Sequence, residues 1–338
     1  MRHHFTKLTV IGFLLCAGIA ARSAADDDRS PVKATVAGAS AQGMFSLVGE
    51  SINEMVRREY PGSSIVYEPG NNAGSFTRML KGEVPLSTGH CDLEVQAALA
   101  GEAPYLRAYS KDDFGLVARV TDGLLLHVLA RADFLEKYKI GTFADLVKKR
   151  VPVRVSVNQK GNLTVYNLAR AIFDYYGVTE KDILAWGGKI FYVPDNISMD
   201  MVKDAKLDMI ISTSFPPDRR FVEMGTTTKI SLVPLEPEAI DRIAAKLGIR
   251  TGVIKANSYS FWPKDYYATS TGCYLSAGKS VPDALTYKIA KAVYTHFNYY
   301  QGVHPVFKRY QREMLVDKGN YQLHPGAARF YREVGLLK

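Results

Sequence analysis

Lys33-Ala34-Thr35-Val36-Ala37-Gly38-Ala39-Ser40-Ala41-Gln42-Gly43-Met44-Phe45-Ser46-Leu47-Val48 is the stretch that decides the fold. Lys33 to Gly38 reads as a short strand ending in small residues. It passes through a loop of small and amide residues into a run where Phe45, Val48, Ile52 and Met55 recur at three- and four-residue steps. That spacing predicts an amphipathic helix over 44–59, which Pro61 and Gly62 stop. Ser64 to Glu68 reads as a second strand, followed by the loop Pro69-Gly70-Asn71-Asn72-Ala73-Gly74-Ser75 and a short helix. A strand is expected at Asp92 to Gln96, and two more at Phe114 to Val120 and Leu124 to Ala130. Strand and helix alternate, as in a parallel sheet covered by helices.

The pattern restarts after a charged helix, Thr142 to Arg150. Val153, Val155 and Val157 alternate with polar residues as a strand should. The loop Asn158-Gln159-Lys160-Gly161-Asn162 leads into a helix with Val165, Leu168 and Ile172 on one face, and Gly177 lies just beyond its end. Strands are expected at Lys189 to Val193, Leu207 to Ser212, Ile230 to Leu235 and Ala268 to Ser276. Pro282-Asp283 opens a helix with a stripe of Leu285, Ile289, Val293 and Phe297. Two α/β units with a C-terminal remainder predict two lobes joined by two hinge strands: 26–127, then 128–266, then a return over 267–338. The crossings are expected near Leu124 to Arg131 and near Tyr267 to Leu275. Two connecting strands permit closure around a ligand.

The N-terminus has the layout of a secretory signal peptide over 1–25: Arg2 and Lys7, an uncharged apolar run from Leu8 to Ala20, then Ser23-Ala24-Ala25. The run is shorter than the ~20 apolar residues a membrane span needs. A periplasmic protein is therefore expected. The formal charge of +9 falls to +6 without the three basic leader residues. A basic balance attracts anions in general and names none. The basic clusters Lys148 to Arg150 and Lys308 to Arg312 are short and carry no nucleic-acid motif. Cys91 and Cys273 remain after the leader. They could pair in an oxidising compartment, although two buried thiols is the favoured reading.

Three loops carry the functional expectation. Gly38 to Gly43 and Asn158 to Thr164 each place small or amide residues where a helix begins, and Asn72 to Ser75 offers a third such place. The first helical N–H groups lack internal partners, and the helix dipole adds positive charge there. A carboxylate can collect several hydrogen bonds at such a start. In open α/β sheets these loops sit where ligands bind. Enzymatic readings find no support. Ser40 lacks the second glycine of a nucleophile elbow, and no HExxH, P-loop or dinucleotide fingerprint is present. His90, His127, His296, His304 and His324 show no metal-ligand spacing and read as structural. No metal and no cofactor is expected.

Leu323-His324-Pro325-Gly326-Ala327, followed by Phe330, Glu333 and Gly335, resembles the C-terminal signature of the TAXI-type solute receptors of tripartite ATP-independent periplasmic (TRAP) transporters. Val281-Pro282-Asp283 with Tyr287 and Lys291, His304-Pro305, and Thr226-Thr227-Thr228-Lys229-Ile230 with Leu232 to Leu235 are similar to further segments of that family. The resemblance spans essentially the whole chain after residue 25. It implies a type II periplasmic-binding-protein fold, a small anionic ligand (an organic acid or an amino acid such as glutamate or 2-oxoglutarate), and delivery to a TRAP membrane subunit. The departures sit at the ligand loops: Gln42-Gly43-Met44-Phe45 without tyrosines, Ala73-Gly74-Ser75, Ala97 and Ala98 after Gln96, Gly161-Asn162-Leu163-Thr164, and Ser214-Phe215-Pro216 without preceding glycines. They leave open a different ligand or a lost one.

The expected site draws Ser40, Gly43, Met44, Asn72, Gly74, Ser75 and Gln96 from the first lobe. From the second it draws Asn158, Gly161, Asn162, Thr164 and Ser214. Their role is hydrogen bonding or close backbone approach, in a protein expected to be a monomer. The alternatives are a receptor for an ABC importer, a ligand-presenting protein for a sensor kinase, and an exported enzyme on the same fold.

Overall fold

Parallel strands need a crossover connection, which an amphipathic helix provides while covering one face of the sheet. The computed structural model describes residues 29–41 and 43–338. The expected signal peptide and Gln42 lie outside the described residues. The first elements are β1 (Lys33–Ala37), α1 (Met44–Glu59), β2 (Ser64–Glu68), α2 (Asn72–Leu80), β3 (Leu86–Cys91), α3 (Asp92–Ala100) and β4 (Phe114–Arg131). Next come α4 (Ala132–Tyr138), α5 (Phe143–Lys148), β5 (Arg154–Ser156), α6 (Leu163–Tyr175), α7 (Glu180–Ala185), β6 (Lys189–Phe191) and α8 (Asp195–Lys203). Then follow β7 (Met209–Ser214), α9 (Arg219–Thr227), β8 (Ile230–Leu232), α10 (Pro237–Leu247) and β9 (Arg250–Ile254). The chain ends with β10 (Tyr266–Gly278), α11 (Asp283–Thr295), α12 (Phe297–Val303) and α13 (Pro325–Glu333).

All the strands join one sheet in the order β2-β1-β3-β10-β4-β7-β5-β6, with β8 added on β4 and β9 on β10. Its two wings are parallel: β1 between β2 and β3, and β5 between β6 and β7. The middle is the antiparallel pair β4 and β10. The first half of β4 pairs with β10, and its second half, Leu125–Ala130, pairs with β7. Leu124 to Ala130 therefore continues the strand begun at Phe114 rather than forming a separate one. Gly123, at φ 76°, absorbs the extra residue where the register shifts between Thr271 and Cys273. Such a bulge bends the strand without ending it.

The apolar side chains divide in step with the wings. One cluster gathers Val128, Leu168, Ile172, Ile210, Phe221 and Ile240. A second gathers Val36, Ile52, Val117, Ile289, Phe307 and Tyr331. A third holds Phe76, Met79, Val95, Leu163 and Tyr274. Burying one such side chain fully is worth roughly 1.5–3 kcal/mol. The C-terminal signature is a packing device. A Cβ on Gly326 would lie 1.9 Å from the Asp283 carbonyl, so only glycine lets α13 lie against α11. His324 is buried against the Thr286 hydroxyl at 2.8 Å, and its N–H donates to Leu116.

Three further expectations are corrected. Asp92 to Gln96 is not a strand but the start of α3, and the strand precedes it. Glu94 reaches back to the Cys91 N–H at 3.0 Å, which caps a helix, and Gly101 ends it at φ 68°. Asn72, Gly74 and Ser75 lie in the first turn of α2 instead of a loop, because Asn71 caps that helix through the Gly74 N–H. Finally, Cys91 and Cys273 form a disulfide rather than two thiols. They are 182 residues apart, yet β3 and β10 place them directly opposite one another. Replacing both with serine is expected to cost about 2–4 kcal/mol, read as a lowered midpoint in urea. An unchanged midpoint, or two reactive thiols in the untreated protein, contradicts the pairing.

Candidate functional site

In the first wing Tyr67 packs against the turn after β1 and against α1. Its ring fills the space where Gly38 and Gly49 lack a Cβ, which at Gly38 would lie 2.1 Å from the ring. Its hydroxyl donates to the carbonyls of Ala39 at 3.0 Å and Ser40 at 3.3 Å. Partial burial pushes the phenol up to about 12. The Ser75 hydroxyl donates to the Gly38 carbonyl, and the Asn72 amide donates to the Gly89 carbonyl. Ser40 is exposed, while Gly43 and Met44 are half-buried. Gly43 is the N-cap of α1, no side chain caps that helix, and no acidic residue stands in its first turn. The start of α1 is thus an uncompensated positive dipole end. The start of α2 is not, since the Gly74 N–H is already given to Asn71 at 2.8 Å.

In the second wing, Asn158 adopts a left-handed conformation at φ 62° and donates from its amide to Asp195 at 2.8 Å. Asp195 also accepts from the Ser212 hydroxyl at 2.7 Å. Burial pushes its carboxyl above the usual range against these bonds. The Ser214 hydroxyl donates to Asp218, which caps α9 through the Arg220 N–H at 2.8 Å. Burial works to raise the Asp218 carboxyl, but the Arg220 guanidinium outweighs it and the net direction is down. Asn162 caps α6 through the Val165 N–H at 3.3 Å. Gly161 is half-buried, and a Cβ there would meet nothing within 4 Å.

The two wings meet at Thr164. Its N–H and its hydroxyl both donate to the carboxylate of Glu94, at 2.9 and 2.7 Å. Glu94 and Thr164 are both buried, and Leu163 joins the cluster that holds Ala37 and Ala73 of the first wing. Gln96, half-buried on α3, lines a groove of about 340 Å³ with Arg170 and Lys246 of α6 and α10. Gly70 and Ser75 bond to Ala39 and Gly38, so the turns after β1 and β2 adjoin, and Leu163 shares an apolar cluster with Ala37 and Ala73. Ser214 ends β7, and Gln96 faces the groove beside α6.

The crossing strands complete the region. Asp92 accepts from the Gly272 N–H at 3.0 Å and from the Tyr274 hydroxyl. The Arg119 guanidinium is buried between Asp317 at 2.6 Å and Asp122 at 3.4 Å. Among the described residues, the hydroxyls of Thr121, Thr269 and Thr271 on β4 and β10 are buried without a hydrogen-bond partner. No group of His, Cys, Asp and Glu suited to a metal occurs among the described residues. No helix among them is long and apolar enough to cross a membrane.

Sequence reasoning missed Tyr67, Glu94, Asp195 and Asp218. Glu94 had a readable signal, Cys91-x-x-Glu94, which is a capping box with cysteine in place of serine or threonine. Asp195 and Asp218 each follow a proline at a helix start, a weaker cue.

His127 supports the α9 turn from below. Its Nδ1–H donates to the Leu125 carbonyl at 2.9 Å, and its Nε2 faces the Tyr259 hydroxyl at 2.9 Å. That hydroxyl oxygen accepts from the Asp218 N–H at 3.0 Å. Burial pushes the imidazole down to about 4. The folded chain keeps this base neutral while the unfolded chain takes up a proton. Its contribution is therefore intact above about pH 6.5 and is lost as pH falls toward 4, by up to about 1.4 kcal/mol per pH unit. Melting temperatures between about pH 7 and 4.5 are expected to fall less steeply for His127→Gln than for the wild type. Equal slopes contradict this account.

The arrangement has counterparts among solved structures. MatC from Rhodopseudomonas palustris, solved with bound malate, is 16% identical, with 82% of this chain and 89% of that chain covered and a TM-score of 0.54. The periplasmic binding protein BugD is 13% identical over 91% of this chain and 99% of that one, with a TM-score of 0.52. A TctC solute-binding protein from Polaromonas is 14% identical over 83% and 88%, with a TM-score of 0.50. These likenesses establish the α/β periplasmic binding protein fold. Residues 36–335 match the NMT1-like family, and the chain belongs to that family.

Proposed function

We propose that this protein is an exported, monomeric solute receptor. In this reading two lobes, divided near residues 127 and 267, close on a small carboxylate-bearing solute and hand it to a membrane transport subunit. The observation that supports the reading is the meeting of helix starts from both wings: Thr164 at the start of α6 bonds to Glu94 in the first turn of α3. The start of α1 receives the solute carboxylate at the backbone of Gly43 to Phe45, beside Ser40. This 16-residue helix has no side-chain cap and no acid in its first turn, and such ends favour anions. Asn158, Ser214 and the unpartnered hydroxyls of Thr121 and Thr271 supply the remaining polar contacts. A buried hydroxyl without a partner costs about 1–3 kcal/mol, so a polar solute group there is favoured. Closure is a population shift set by the solute's better fit to the closed state. The chemistry is binding, with no bond broken.

For the partner, the C-terminal signature and its upstream companions favour a TRAP-type membrane subunit of the TAXI class over an ABC importer. The gene beside this one discriminates: a multi-span TRAP subunit supports the assignment, and an ATPase pair overturns it in favour of the importer.

The receptor reading is tested by calorimetry against a panel of small carboxylates, with malate, glutamate and 2-oxoglutarate included. At least one is expected to bind with 1:1 stoichiometry. Gly43→Asp places a carboxylate at the N-cap of α1, where it competes with the solute. It is expected to leave the melting temperature unchanged or raised and to weaken solute binding at least about tenfold. A folded wild-type protein that binds nothing in the panel overturns the reading. A Gly43→Asp variant with unchanged affinity moves the carboxylate away from α1.

A further inference from the structure

The start of a helix favours an anion. Here the start of α6, a helix of 13 residues, already holds one. The Glu94 carboxylate takes the Thr164 N–H at 2.9 Å on one oxygen and the Thr164 hydroxyl at 2.7 Å on the other. The second oxygen also takes the Cys91 N–H at 3.0 Å. One carboxylate therefore closes two helices, its own α3 and the facing α6, and it does so from a residue with no solvent exposure. Two backbone donors and a hydroxyl around a buried carboxylate form the set that an external carboxylate would need. Asn162 takes a further N–H of the same turn, at Val165.

We propose that Glu94 is a built-in substitute for a ligand carboxylate at the α6 start. It joins the two wings without solute and makes the receptor select a solute that brings no second carboxylate to that point. This rests on the receptor reading only for the sense of the selection; the occupancy of the helix start is independent of it. Within that reading, one carboxylate goes to α1, which is open, and the opposite wing answers with the neutral donors and acceptors of Asn158 and Ser214. A dicarboxylate long enough to reach from α1 to α6 finds the Thr164 and Cys91 N–H groups already taken by Glu94.

The side chain's removal supplies the test, because Glu94→Ala leaves the donors of Thr164 and Cys91 around a space the size of a small carboxylate. The probe is sodium acetate against sodium chloride at equal ionic strength, followed by thermal unfolding. At about 100 mM, acetate is expected to raise the Glu94→Ala midpoint by about 2 °C or more over chloride. The wild type is expected to show no such difference. Equal acetate and chloride curves for a folded Glu94→Ala overturn the proposal. Glu94→Gln keeps the volume and covers the case in which the alanine variant does not fold. Its amide oxygen serves as acceptor for only part of the donor set, so hydrogen exchange at Thr164 is expected to quicken at least about tenfold. Unchanged exchange at Thr164 in Glu94→Gln overturns the proposal too. Neither readout involves the transported solute. A carboxylate panel that fails while acetate restores Glu94→Ala removes the receptor reading and leaves this assignment standing. The reverse pair of results does the opposite.

Discussion

A single buried carboxylate shared between two helix starts is the constraint on which the rest of the arrangement depends. Charge inside a protein is tolerated only where hydrogen bonds replace the lost water. Glu94 meets that condition only if α3 and α6 face each other, and α6 belongs to the opposite wing of the sheet. Burial pushes the Glu94 carboxyl above its usual range, and the bonds from Thr164 and Cys91 offset only part of that. Removing either helix start from the pair leaves an expensive group unanswered. The packing of Leu163 into the cluster of Ala37, Ala73 and Val95 follows from the same approach.

The turn that carries Glu94 is itself held to the crossing strands. Cys91 is joined to Cys273, and Asp92 takes the Gly272 N–H and the Tyr274 hydroxyl of β10. A Cβ on Gly272 would lie 1.7 Å from the Arg119 guanidinium, so the close approach of β10 to β4 at this point requires glycine. Four consecutive residues, Cys91 to Glu94, thus touch β10, the first and second apolar clusters and α6. In the two-lobe reading proposed above, movement of the wings about β4 and β10 is taken up around this turn. That places the proposed hinge and the proposed selection device side by side.

Much of the frame was legible in the sequence. α1 and β2 begin and end where apolar spacing and the Pro61-Gly62 stop place them, because each buries one clear face. The alternation in both halves and the long helix from Asp283 were equally direct. What failed shows why local pattern is limited. Leu93 and Val95 alternate with Asp92, Glu94 and Gln96, which reads as a strand. Asp92 and Glu94 turn out to be buried and bonded to groups elsewhere, so their polarity did not mark a solvent face. The Glu94 partner lies 70 residues ahead and Cys91's lies 182 residues ahead. No window of sequence contains either pair. The candidate loops were found by composition, yet which helix starts were open depended on caps. Asn71, Asn162 and Asp218 close theirs from the adjoining residues, while the closing group for Thr164 comes from the other wing.

A crystal structure with a bound carboxylate from the calorimetric panel addresses the central claim most directly. The account predicts the solute carboxylate on the N–H groups at the start of α1, with Glu94 still holding the Thr164 N–H and hydroxyl. A solute carboxylate seated on Thr164, with the Glu94 side chain displaced from it, would contradict the account.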